Sequence, residues 1–142
     1  MTAVLIDSVR LGHLEMDEAS IIEVPAGIMG FPDLHRYAVV AADDDGIYSW
    51  LQSVEDPSLA FLTVVPALFF PTYAPVIPDD DCRSLGLRSP EDAQLLCLVT
   101  VAAGSVSANL LGPIVLNVAT RTARQVVVAD PRLTTREPIV PG

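Results

Sequence analysis

The apolar runs of this chain are short, about five to eight residues at most, a length that suits β-strands and not long helices. They are rich in Val, Ile, Leu and Ala, and they stop at proline, glycine or aspartate turns. Candidate strands lie at 4–9, 14–16, 21–24, 37–42, 47–54, 59–65, 94–101, 106–111, 114–117 and 124–129. The runs at 47–54 and 59–65 read as a hairpin around Glu55-Asp56-Pro57-Ser58, where Asp56 before Pro57 suits a side-chain turn hydrogen bond. Asp43-Asp44-Asp45-Gly46 is a second turn, with Gly46 free to take positive φ.

One helix is expected at 78–87. Asp79, Asp80 and Asp81 fall in its first turn, where the helix dipole favours negative charge, and Gly86 supplies the stop. A single helical turn capped by Asp33 is expected at 33–36. Proline and glycine make 25–32 an ordered loop with Ile28, Met29 and Phe31 as apolar anchors. Four prolines make 66–78 an extended strap that carries Phe69, Phe70 and Tyr73. Two adjacent aromatics on an extended segment point to opposite sides, so one of Phe69 and Phe70 is expected to be exposed. The tail from Asp130 is expected to dock loosely. Short strands at roughly 8–12 residue spacing, without alternating helices, indicate an all-β fold. We expect an all-β barrel or sandwich with one short helix, forming one domain over residues 1–142.

The chain carries 18 acidic and 8 basic residues for a net charge of −10, and every basic residue is arginine. Direct nucleic-acid binding needs clustered cations, so it is disfavoured. An acidic surface suits a basic protein partner. No apolar stretch approaches the roughly 20 residues that span a bilayer. Residues 1–7 lack the features of a signal peptide, so the expected compartment is the cytosol.

Enzyme chemistry finds little support. His13 and His35 lack a second ligand at metal-binding spacing. Three consecutive aspartates supply only part of a calcium loop. Glu55 and Asp56 are adjacent in a turn and do not flank a cleft as glycosidase carboxylates do. Ser53 and Ser107 have no histidine near them in sequence. Cys97 lies in an apolar run and reads as a small buried hydrophobe, and Cys82 follows three aspartates, a poor setting for a thiolate. Asn109 and Asn117 read as amides that satisfy backbone groups at turns or crossing loops. No cofactor is expected.

Several segments together resemble the flagellar assembly factor family, FliW. They are Pro25-Ala26-Gly27-Ile28-Met29-Gly30-Phe31, then Trp50-Leu51-Gln52-Ser53 with Asp56-Pro57 and Leu59-Ala60-Phe61. Further on come Ala108-Asn109-Leu110-Leu111-Gly112-Pro113-Ile114-Val115 with Asn117, then Gln125-Val126-Val127, and Thr135-Arg136 with Pro138-Ile139. The resemblance implies a small antiparallel barrel-like fold with crossing loops and one short helix, in keeping with the strand count, and a cytoplasmic, non-enzymatic regulator of flagellum assembly. Such a protein binds the translational repressor CsrA, relieves its block on flagellin mRNA, and binds flagellin as a competing partner. It is expected to be a monomer alone. With a basic repressor as partner, Glu55, Asp56, Asp79, Asp80 and Asp81 are the expected contact residues, and Phe69 or Phe70 the apolar anchor. An alternative is a small-ligand barrel with Tyr48 and Trp50 lining a cavity.

Overall fold

Side chains alternate across a β-strand, and here both faces of most strands are covered, which is why the apolar runs are so nearly continuous. A computed structural model describes residues 3–28 and 30–139. Among the described residues there are eleven strands and one α-helix. The strands are β1 (Ala3–Ser8), β2 (Gly12–Asp17), β3 (Ile21–Glu23), β4 (Arg36–Ala41), β5 (Tyr48–Ser53) and β6 (Ala60–Val64). After the helix α1 (Asp79–Leu85) come β7 (Ala93–Ala102), β8 (Ser105–Ala108), β9 (Ile114–Asn117), β10 (Thr122–Gln125) and β11 (Glu137–Pro138).

Seven strands close into a ring in the order β3-β4-β5-β6-β7-β9-β10, which returns to β3. The ladders are antiparallel except the short parallel contact of β10 with β3, where Thr122 pairs with Glu23. Strand β7 is the seam. Its first half pairs with β9, Leu98 and Cys97 pair with Thr63 and Val64 of β6, and its outer half pairs with β8. Strand β8 in turn carries β11. Strands β1 and β2 form a separate two-stranded ribbon.

The barrel interior is filled by Ile22, Val24, Ile28, Tyr37, Leu51, Leu96, Ile114, Leu116 and Ala123. Three further clusters lie around it. The ribbon places Ile6 against Ile21 and Ala38. The strap, β8 and the tail gather Val64, Cys97, Ala108, Leu110 and Ile139. Helix α1 seats Leu85 on Val115 and Val126. Strand β9 shows the principle, since all four of its residues are buried. Ile114 and Leu116 face the interior, while Val115 packs under the helix.

Several expectations need correction. Residues 33–36 form no helical turn, because Arg36 begins β4 and pairs with Glu23. The strand expected at 124–129 starts at Thr122 and leaves the ladder after Gln125, opposite Pro113, which has no N–H to donate. Val126 and Val128 still bond singly to the carbonyls of Pro113 and Leu111. The tail is docked firmly: Leu110 N–H donates to Thr134 O, β11 pairs with β8, and Ile139 is buried. Tyr48 and Trp50 do not line a cavity. Leu51 takes the inward position, so its neighbours point outward, Tyr48 against Phe69 and Trp50 beneath Arg10. Of the loop anchors, Ile28 is buried and Phe31 sits edge-on to Phe61, while Met29 lies outside the described residues.

Gly27 (φ +72°) lies in that loop where a Cβ would come within 2.5 Å of Phe31 O and 2.6 Å of Pro32 Cα. Gly30 (φ +87°) would meet nothing within 4 Å. Gly27→Ala therefore costs about 2 kcal/mol or more in urea denaturation, and Gly30→Ala only the strain of positive φ, about 1 kcal/mol. Tyr37 is fully buried, its hydroxyl has no hydrogen-bond partner among the described residues, and burial pushes its pKa up to about 12. Since no hydrogen bond is lost, Tyr37→Phe should change stability by less than about 1 kcal/mol in the same assay.

Candidate functional site

The hairpin turn between β5 and β6 is a network of short polar contacts. Ser53 Oγ accepts from the N–H groups of Glu55 (3.1 Å) and Asp56 (2.9 Å). Asp56 Oδ1 accepts from the N–H (2.9 Å) and hydroxyl (2.7 Å) of Ser58, the turn bond that its place before Pro57 predicts. Glu55 Oε1 accepts from the N–H groups of His35 (2.6 Å) and Arg36 (2.9 Å), and so ties this turn to the start of β4. The His35 bond is the main reason that the Glu55 carboxyl titrates below its usual range, and the Ser58 hydroxyl does the same for Asp56. Gln52, fully buried, closes the network. It accepts from Ser8 Oγ of the ribbon (2.7 Å) and donates to the carbonyls of Ser53 (3.0 Å) and Leu59 (3.1 Å).

The second acidic group lies on α1, which packs on β10. Asp80 pairs with Arg83, and Asp81 pairs with Arg124 Nε at 2.8 Å. The C-terminal end of the helix is held by Asn117, whose Nδ2 donates to Leu85 O (2.8 Å) while its Oδ1 accepts from the N–H groups of Ala119 and Thr120. Asn109 Oδ1 accepts from Leu111 and Gly112 N–H in the same manner. Both amides thus do the backbone work expected of them. Gly86 ends the helix in the left-handed region, φ 69°. The two acidic groups therefore stand on different elements, and most of their carboxylates already hold a partner within the chain.

Neither Phe69 nor Phe70 is exposed, against the expectation for one of them. The chain at Pro66–Leu68 is a 3-10 turn, Phe69 is αR, and Phe70 N–H donates to Pro66 O (2.8 Å). On a turn, unlike on an extended strap, adjacent side chains reach the same side, and both rings pack on the outer cluster with Tyr73. Phe70 also lines a groove of about 340 Å³ with Tyr73, Leu110, Arg132, Leu133 and Glu137. Tyr73 anchors the strap by donating its hydroxyl to Leu110 O at 2.6 Å.

The remaining reactive groups are held apart. His13 Nδ1 lies 2.6 Å from Asp7 Oδ1 at the surface, and His35 Nε2 lies 2.9 Å from Pro32 O. Cys97 is fully buried, and burial pushes its thiol up to about 12. Among the described residues no group of three or more His, Cys, Asp or Glu could hold a metal ion, and no helix is long and apolar enough to cross a membrane. The Ser8–Gln52 contact was not legible in sequence, since nothing in the pattern couples positions 44 residues apart.

A family model described as FliW protein matches residues 5–139. The flagellar assembly factor FliW of Symbiobacterium thermophilum is 39% identical over 126 residues, which cover 87% of this chain and 91% of the relative. That of Bdellovibrio bacteriovorus is 35% identical over 137 residues, 95% of this chain and 78% of its own length. A crystal structure of the flagellar assembly factor FliW superimposes with a TM-score of 0.87 at 30% identity, over 97% of this chain and 98% of that one.

The lowered Glu55 pKa makes a signed prediction. A carboxyl whose pKa falls on folding adds stability above its unfolded value, near 4.3, and that stability disappears as pH drops through the lower folded value. Glu55→Gln should therefore be less stable than the parent at neutral pH. The gap between the two should close as thermal melts are carried below about pH 4.

Proposed function

The chain belongs to the FliW family of flagellar assembly factors, and we propose that it acts by binding and antagonising the translational repressor CsrA. In this reading it is a cytoplasmic, non-enzymatic regulator without a cofactor. Bound to the repressor, it lifts repression of flagellin mRNA. Flagellin is the competing partner: while it accumulates it occupies the protein, and its export frees the protein to sequester the repressor again.

The observation that carries this reading is the net charge of −10 on a chain of this family. A repressor that grips RNA must present cations, and an acidic partner both accelerates encounter with it and opposes RNA nearby. The filled barrel interior supports protein binding over the ligand-barrel alternative, because a ligand of even modest size needs a cavity of some 300 Å³ or more that encloses it. The core residues Tyr37, Leu51, Ile114 and Leu116 occupy that space.

Calorimetric titration with the CsrA-type repressor of the same organism, at low and moderate salt, tests the proposal. We expect binding that weakens as salt rises. Tight binding indifferent to salt would keep the partner and discard the electrostatic account. Absence of binding at either salt would remove the repressor as a partner.

A further inference from the structure

The ribbon β1–β2 has two unlike faces. Val4, Ile6, Leu14 and Met16 point inward and pack with Ile21, Ala38, Val40 and Val54. The cross-strand pairs on the other face are Ala3 with Asp17, Leu5 with Glu15, and Asp7 with His13. On that face Leu5 is 81% exposed, and Val9, in the turn that follows β1, is 78% exposed. Leu5 thus stands in water with Glu15 directly across from it, Asp7 two residues along its own strand, and Asp17 on the diagonal. No other strand covers this face, for the two strands form a sheet of their own among the described residues.

The ribbon is also fixed in place. Ser8 Oγ donates to the buried Gln52, Val9 N–H donates to Pro57 O at 2.8 Å, and the Arg10 guanidinium lies 4.5 Å from the centre of the Trp50 ring. A face held this way loses little freedom on binding. By contrast, Asp80 and Asp81 already face arginines, and Glu55 and Asp56 cap backbone groups. A cation arriving at those positions must compete with an internal partner. At Glu15 it need not, since among the described residues Glu15 has no ion pair.

We propose that the outer face of the β1–β2 ribbon, centred on Leu5 and Glu15, is the docking surface for a basic segment of the partner protein that carries an apolar side chain flanked by Arg or Lys. The apolar side chain covers Leu5 and a cation meets Glu15, while Asp7, already bonded to His13, and Asp17, which caps the Ala19 N–H, add to the negative field around it. Charge complementarity selects this occupant: an acidic segment is repelled, and an uncharged one leaves Glu15 without a partner. This inference rests on the proposed role as a repressor-binding protein, and it moves the contact away from α1 and the β5–β6 turn.

The test titrates the full chain and three variants with the CsrA-type repressor of the same organism. The variants are Leu5→Ser, Glu15→Lys and the triple change Asp79→Asn, Asp80→Asn, Asp81→Asn. Leu5 and Glu15 are solvent-facing, and thermal melts confirm that each variant is folded. We expect Leu5→Ser and Glu15→Lys each to weaken binding about tenfold or more. Glu15→Lys should also reduce the salt dependence, and the helix triple variant should stay within about twofold. Binding by the parent that Leu5→Ser and Glu15→Lys leave within about twofold would overturn this inference while leaving the proposed function in place. If the parent itself does not bind, the proposed function falls and this inference with it.

Discussion

The ten residues of β7 hold the molecule together, because they close the ring. Any sheet of this size has two edges, and an unpaired edge must be covered, charged or joined. Here β7 joins β9 through Ala93–Asn117 to Leu96–Ile114 pairing and reaches β6 through Cys97 and Leu98. Closure encloses the interior cluster, and the same strand then runs on past the barrel to seat β8. The strap and the tail both pack on that extension. A strand that serves three neighbours has to be apolar on both faces, which is why Leu95, Leu96, Cys97, Leu98 and Val99 follow one another without a charge.

Closure leaves the connections to be managed by polar side chains. Gln52, Asn109 and Asn117 each satisfy several backbone groups at points where chain segments cross. Glu55, Asp56 and Asp92 do the same at turns, and Asp92 Oδ2 accepts from the N–H groups of Arg88 and Ser89. Much of the acidity of this chain is therefore structural as well as electrostatic. For function this matters in two ways. The carboxylates that cap turns hold their neighbours rigid, and the ones left to meet a partner are fewer than the net charge suggests.

How much was legible in the sequence depended on whether a feature was local. Helix α1 was, since the aspartate run at its start and Gly86 at its end act through neighbouring backbone alone. The β5–β6 hairpin and the Asp56 turn were legible for the same reason. The positions of Phe69 and Phe70 were not. Their orientation follows from a 3-10 turn at Pro66, and proline content alone does not distinguish such a turn from an extended strap. The end of β10 was misread because three valines favour a strand, while the ladder stops where Pro113 has no donor to offer. The tail was misread because its prolines suggested looseness, and its docking depends on an edge of β8 formed some 30 residues earlier. The candidate site was read as an acidic group and an aromatic anchor. The acids are where they were expected on the chain, but the chain supplies most of their partners.

By itself the sequence determined the class of this protein: an all-β chain of short two-faced strands, one short helix, strong acidity, and the family to which it belongs. The fold class and the acidity follow from side-chain periodicity, turn chemistry and composition, which act over a few residues or are summed over all of them, and the family follows from the motif segments this chain shares with it. Only the tertiary structure decided which strands meet across the seam. It also decided that Tyr48 and Trp50 face outward, that Arg124 pairs with Asp81 of the helix, and that the ribbon displays Leu5 among acids. Each of these depends on groups brought together from distant positions, and the energy that fixes them is the burial and pairing available only once the ring has closed.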